Sequence, residues 1–138
     1  MMKKNGFELI TRQLVRMEHL NSHGHLFGGQ MFSWIDEAAA MYIAEKARYS
    51  NMVTASMDKL CFINPGKLGA QICFWGRITN IGRSSITLEI IASQHDFEND
   101  LFLDLTKVNI KFVLLDEFGK PYKHFEKYPD LKNKLLNN

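Results

Sequence analysis

Two carboxylates, Asp36 and Glu37, are the only formal charges between Gln30 and Ala44, in a mostly apolar segment that begins directly after two adjacent glycines, Gly28 and Gly29, and Asp36 lies at the margin of its apolar face. A carboxylate at the margin of an apolar helix face loses hydration, which costs free energy unless a partner or a function compensates. Such a group can act as a general base, and unobstructed N–H groups at a helix start can bind an anion or a developing oxyanion. The structural alternatives are an aspartate favoured by the helix macrodipole and glycines that form a turn. The pattern alone leaves both interpretations open.

The loop before these glycines contains Asn21, His23 and His25. Two histidines so close together can chelate a metal ion, but no cysteine or carboxylate group elsewhere has the spacing of a zinc site. We therefore favour turn or supporting roles for both histidines over a metal centre. No serine lies in a G-x-S-x-G elbow, which argues against a Ser-His-Asp hydrolase.

A second polar cluster, Gly82, Arg83, Ser84 and Ser85, separates two strand-like segments. The sequence alone favours a hairpin turn in which Arg83 is solvated. In the functional alternative, the arginine, the two hydroxyl groups and the N–H groups of the turn bind a phosphate.

Hydrophobic periodicity predicts the elements that position these residues. We expect a strand at 8–20, a helix at 30–48, strands at 52–63, 70–81, 85–93 and 101–115, and a polar tail at 122–138 that forms a short frayed helix. The long helix is apolar nearly all round, so we expect it to be covered on every side. Short links between the strands exclude parallel crossovers, which leaves an α+β fold with one antiparallel sheet wrapped around the helix. The edges of such a sheet favour pairing with a second copy.

Length and composition indicate one globular domain without a polyanion-binding surface. The chain has 138 residues, of which 46% are hydrophobic and 23% charged, and its net charge is +2. No Lys/Arg block is longer than Lys3–Lys4, so we expect no nucleic-acid partner. Cys61 and Cys73 lack zinc or redox spacing, the N-terminus lacks an apolar signal region, and no apolar run approaches the ~20 residues that span a bilayer. These features predict a cytoplasmic protein that does not enter membranes.

The motif N-x-x-G-x-x-F-G-G-x-x-x-x-x-x-D stands at Asn21, Gly24, Phe27, Gly28, Gly29 and Asp36. Further similarity follows in the segments 53–69, 82–85 and 116–121, so the match covers about residues 10–120. With these motifs in this order, the chain resembles the hotdog-fold acyl-CoA thioesterases of the acyl-CoA hydrolase branch. The resemblance implies a single hotdog domain over 1–138, in which a five-stranded antiparallel sheet wraps a long central helix.

The resemblance also implies how the site is assembled. Two copies would join into a dimer with one continuous sheet of ten strands, and three dimers would form a hexamer. The active sites would lie at the dimer interface, where Asn21 of one copy holds the thioester or the water and faces Asp36 of the other. The amides of Gly28 and Gly29 would polarise the thioester carbonyl, and Asp36 would act as general base or as the attacking carboxylate.

The same resemblance assigns the remaining polar residues. The turn at 82–85 would bind the phosphates of coenzyme A, with Arg83 as the charge partner. Thr54 and His23 would support the site. No cofactor and no metal ion is implied, because coenzyme A is part of the substrate and a thioester is already an activated acyl group.

Two other functions remain open at this point. A hotdog hydratase or dehydratase would pair His23 with Asp36, and a non-catalytic acyl-CoA sensor would keep Arg83 and the glycines but need neither Asn21 nor Asp36. His25 and Trp34 depart from the usual family pattern. Because both can alter the fit of the acyl chain, the preferred chain length stays undetermined.

Overall fold

In the computed structural model, one long helix crosses the concave face of a curved antiparallel sheet. The structure describes residues 3–137, and side chains from residue 5 onward, so Met1, Met2 and Asn138 of the expected domain lie outside the described residues. The strands are Lys3–Lys4 (β1), Phe7–Leu14 (β2), Met52–Phe62 (β3), Gln71–Ile81 (β4), Ser85–Asp96 (β5) and Leu101–Leu114 (β6); the helices are Gly28–Ala47 (α1), His124–Lys127 (α2) and Pro129–Leu136 (α3).

The sheet has the strand order β1-β2-β4-β5-β6-β3, and every neighbouring pair is antiparallel. The predicted α+β hotdog fold is confirmed: five long strands form the antiparallel sheet on which α1 packs, and the two-residue β1 extends the sheet beside β2. β4, β5 and β6 follow one another through hairpins, whereas β3 pairs with β6 and forms the outer edge. The predicted first strand is too long, because β2 ends at Leu14 and a short 3-10 turn follows at Met17–His19.

The helix packs on the sheet through one face only. Its buried residues recur at helical spacing and are Met31, Trp34, Ile35, Ala38, Ala39, Tyr42, Ile43 and Ala47. Facing them, β4, β5 and β6 contribute Ile72, Phe74, Ile86, Leu88, Ile90, Ile110, Phe112 and Leu114 to the same core. The expectation of a helix covered on every side is wrong for the single chain, because Ser33, Glu37 and Met41 are exposed along the opposite face.

The C-terminal tail is packed on the core rather than frayed. Phe125 is buried, and Leu131 and Leu135 pack against the main core. His124 is also buried, and its Nε2 lies 2.7 Å from the carbonyl oxygen of Ala47 at the end of α1. That nitrogen therefore donates, because a carbonyl oxygen only accepts. The tail closes the core at the C-terminal end of α1.

Across residues 3–137, no helix combines the length and the apolar character needed to span a membrane.

Candidate active site

Asn21 fixes the conformation of the loop that precedes α1. Its side-chain oxygen accepts hydrogen bonds from the backbone amides of His23 (2.9 Å) and His25 (3.2 Å). Its backbone amide donates to the carbonyl of His25, and its carbonyl accepts from the amide of Gly24, which has a φ of 79°. Since backbone amides only donate, the atom that faces them is the carboxamide oxygen. The carboxamide NH₂ is then the part of Asn21 that remains to contact a ligand.

The start of α1 presents two backbone donors. The helix is capped by Phe27, whose carbonyl accepts the amides of Gln30 and Met31 at 3.0 and 3.1 Å. The amides of Gly28 and Gly29 have no acceptor among the residues that the structure describes. They also lie at the positive end of the helix dipole, so this end of the helix favours a ligand oxygen that carries negative charge.

A cleft of about 350 Å³ opens beside these donors. Its lining is mostly apolar and consists of Leu26, Gly28, Met31, Phe62, Ile63, Asn64, Pro65, Gly66 and Thr106. None of these side chains is charged, so the cleft suits a hydrocarbon group better than a phosphate. Gly66 brings the loop against Leu26, because a Cβ at Gly66 would lie 2.8 Å from the Cβ of Leu26.

Asp36 forms a direct hydrogen bond with the strand that faces it. Thr54 Oγ1 donates to Asp36 Oδ1 at 2.8 Å. Thr54 is exposed on the edge strand β3, and Asp36 is only partly covered, so the pair borders open surface. Within residues 3–137, Asp36 makes no ion pair and no second side-chain hydrogen bond. Its other oxygen is therefore available to a proton donor.

A single chain does not bring Asp36 to its own glycine amides. Asp36 follows Gly28 by two turns of α1, which separates the two backbones by about 12 Å along the helix axis at ~1.5 Å per residue. Phe32 lies between them on the same helix face, and its ring packs edge-to-face on Phe62, with 5.7 Å between the ring centroids. The hypothesis from sequence did not include this aromatic pair. The available signal was the i, i+4 spacing of Gly28, Phe32 and Asp36.

The turn at 82–85 lies near the C-terminal end of α1, whereas Gly28 lies at its N-terminal end. The amide of Gly82 donates to the carbonyl of Ser85 (2.9 Å), and the carbonyl of Ser84 accepts from Leu114 (2.8 Å). Arg83 is exposed and forms an ion pair of 3.2 Å with Glu126 of α2. α2 also contacts the C-terminal end of α1 through His124, so the turn lies near the end of α1 that is opposite to Gly28.

The two loop histidines have exposed side chains, and neither is hydrogen-bonded to Asp36. In the described part of the chain, no three His, Cys, Asp or Glu side chains form a group that could hold a metal ion. His19, by contrast, is ordered by contacts: its Nδ1 accepts the amide of Arg16 at 3.0 Å, and its ring packs edge-on against Trp34. The carbonyl of His19 also accepts the amide of Phe27 at 2.8 Å, so the turn at Met17–His19 is joined to the start of α1.

Comparison with known proteins agrees with this architecture. Residues 23–96 match the family model described as Thioesterase superfamily. An uncharacterized acyl-CoA thioester hydrolase of Bacillus subtilis, YkhA, is 31% identical over 117 residues, which are 84% of this chain and 67% of that protein.

Solved structures show the same fold. The hexameric thioesterase y2039 from Yersinia pestis is 30% identical with a TM-score of 0.79, covering 88% of this chain and 97% of that one. An acyl-CoA hydrolase from Staphylococcus aureus, solved in complex with butyryl coenzyme A, coenzyme A and coenzyme A disulfide, is 25% identical with a TM-score of 0.77, covering 90% of this chain and 83% of that one. The family model spans more than half of the chain, which therefore belongs to the Thioesterase superfamily.

Proposed function

We propose that this protein hydrolyses acyl-CoA thioesters to a carboxylic acid and coenzyme A, at a site shared by two copies of the chain. The observation that carries the proposal is the arrangement along one exposed groove between α1 and β3. Two backbone donors lie at one end of the groove, where Gly28 lines an apolar cleft, and a carboxylate held by Thr54 lies two helical turns away. These are the groups that thioester hydrolysis needs, divided between two positions that a second copy can bring together.

The edge strand β3 is the surface through which the copies pair. It uses one side to bind β6, and it carries exposed apolar side chains, including Val53 and Phe62. An edge strand of eleven residues that is paired on one side only favours pairing with another strand. Antiparallel pairing of two β3 strands about a two-fold axis continues the sheet across both copies, with ten long strands in total. It also sets the two α1 helices side by side in opposite directions, so that Asp36 of each copy approaches Gly28 of the other.

The reaction follows from these groups. The thioester carbonyl oxygen accepts hydrogen bonds from the amides of Gly28 and Gly29, which polarise it and stabilise the oxyanion that forms. The carboxamide of Asn21 orients the thioester or the attacking water. Asp36 of the partner subunit takes a proton from water while the oxygen of that water bonds to the carbonyl carbon. Collapse of the tetrahedral intermediate breaks the carbon–sulfur bond, and the thiolate of coenzyme A leaves and receives the proton.

The turn at 82–85 supplies the binding site for the phosphates of coenzyme A. Arg83 is exposed, and its ion pair with Glu126 is also exposed, so exchange of that carboxylate for a phosphate costs little free energy. Because the turn lies far from the cleft of its own chain, it serves the site of a neighbouring copy. His23 supports the site indirectly, since its backbone amide fixes the side-chain oxygen of Asn21. A hexamer of three dimers accords with the hexameric relative from Yersinia pestis.

Release of free thiol from a panel of acyl-CoAs tests the proposal. We expect thiol release by the wild type, and we expect Asp36→Ala and Asn21→Ala to lose most of it. Unchanged release by Asp36→Ala would contradict the assignment of the base. Binding of coenzyme A esters without any release would instead favour an acyl-CoA sensor.

A further inference from the structure

An aromatic pair stands between the two halves of the groove. Gly28, Phe32 and Asp36 share one face of α1, and Phe62 and Thr54 face them from β3. At one end, the ring of Phe62 lies 3.7 Å from the position that a Cβ on Gly28 would occupy. At the other end, Thr54 binds Asp36. The Phe32–Phe62 pair therefore forms the wall between the apolar cleft and the rest of the groove.

Phe62 is held in this position by a ring contact and not by burial. Its side chain is 56% exposed, and the ring meets Phe32 edge-to-face at an interplanar angle of 81°. An edge-to-face pair of this kind is favourable beyond the apolar area that it covers. Truncation of either ring therefore opens the wall without leaving a cavity in the main core.

The cleft behind this wall has the chemistry of an acyl-chain pocket. It starts at the amide of Gly28, its lining includes Leu26, Met31 and Ile63, and no charged side chain borders it. Its volume of about 350 Å³ lies near the lower end of the range of about 300–1,000 Å³ that is usual for small-molecule sites. A short or medium acyl chain fits this space, whereas a long chain must pass the Phe32–Phe62 wall.

We propose that Phe32 and Phe62 determine the acyl-chain length that this enzyme accepts, and that its substrates are acyl-CoAs with short to medium chains. The inference rests on the proposed hydrolysis of acyl-CoA. The two rings close the acyl pocket on the side that leads towards Thr54, so their size limits the chain. Neither ring is required for the chemical step, because neither contacts the donors or the carboxylate through a polar group.

The experiment compares kcat/KM over a series of acyl-CoAs from acetyl to palmitoyl. For Phe62→Ala we expect the ratio of palmitoyl-CoA to butyryl-CoA activity to rise about tenfold, since a few methylene groups in an apolar pocket change kcat/KM by at least that factor. Phe32→Ala removes the support of the Phe62 ring and should shift the ratio in the same direction. Phe62→Trp enlarges the wall and should lower the longest chain that is accepted.

The matched control is Phe118→Ala, which removes an exposed phenylalanine in the turn that follows β6, remote from the cleft. Its chain-length profile should coincide with that of the wild type. Wild-type profiles in Phe62→Ala and Phe32→Ala, with hydrolysis intact, would overturn the inference and leave the proposed function standing. Failure of the wild type to release thiol from any acyl-CoA would overturn both.

Discussion

Thr54 Oγ1 donates a hydrogen bond of 2.8 Å to Asp36 Oδ1 and so joins the exposed edge strand β3 to the middle of α1. The bond occupies one oxygen of the carboxylate and fixes the direction of the other. It also lies on the surface through which we propose that two copies pair. In the site that we propose, the same contact therefore orients the base and lies at the interface between the copies.

Removal of this hydrogen bond should slow the reaction with little effect on substrate binding. For Thr54→Val we expect kcat to fall about ten- to hundredfold, because a hydrogen bond to a charged group contributes ~1.5–3 kcal/mol. Steady-state thiol release measures the change. Thr54→Ser keeps the hydroxyl and is the control, with activity near that of the wild type. A wild-type kcat in Thr54→Val would show that the hydroxyl does not orient the base.

Replacement of the Asp36 carboxylate should lower kcat more than the loss of the Thr54 hydroxyl does. For Asp36→Asn we expect kcat to fall roughly a thousandfold, within the range of losses for a general base, while the fold is retained because the shapes match. Circular dichroism checks the fold. Single-turnover hydrolysis by the wild type in ¹⁸O-labelled water then tests for an attacking carboxylate: label in Asp36 shows that a mixed anhydride formed and that water opened it at the Asp36 carbonyl.

The proposed phosphate contact should act mainly on binding. For Arg83→Ala we expect a raised KM for coenzyme A esters and a smaller change in kcat, as for an interaction that is equal in the ground and transition states. Glu126→Ala is the matched control, since it removes the partner of Arg83 and leaves the guanidinium in place. An equal effect of Arg83→Ala on a short pantetheine thioester, which lacks the nucleotide, would contradict the assignment.

The tail should contribute to stability as part of the core. For Phe125→Ala we expect the free energy of unfolding to drop by about 3 kcal/mol, because the side chain is 2% exposed and its loss leaves a cavity. Tyr128→Ala is the control, at a residue that is 45% exposed in the same tail, and should lower the free energy of unfolding much less. Urea denaturation at one protein concentration measures both. Equal small effects would mean that the tail is not needed for the core.

Strong hydrophobic periodicity made most of the fold predictable from sequence. Alternation in β6 and in the first half of β5 and the helical spacing in α1 follow directly from burial on one face, whereas β4 is buried on both faces between residues 72 and 76. The packing of the tail on the core was not predicted. Lysines and acidic residues separate the residues that pack there, so no hydrophobic periodicity is visible; these residues are His124, Phe125, Leu131 and Leu135. The exposed face of α1 was also missed, since Met41 reads as apolar whether or not anything covers it, and Ser33 carries no charge that would mark an exposed face.

The candidate site was predictable to a smaller extent. The spacing of Asn21, the two glycines and Asp36 indicated the residues but not their distances. Thr54 was assigned a supporting role, and its hydrogen bond to Asp36 appears only once β3 is placed beside α1. The Phe32–Phe62 contact was not predicted, because pairing between a helix and a strand far along the chain leaves no local pattern.

The central claim is that each active site combines Asn21 of one copy with Asp36 of another, and a mixture of two inactive variants tests it most directly. We would refold Asn21→Ala and Asp36→Ala together and measure thiol release. A mixed dimer contains one site with both residues intact and one with neither, so random pairing of equal amounts should restore about one quarter of wild-type activity. Activity that stays at the average of the two separate variants would contradict a site shared between copies.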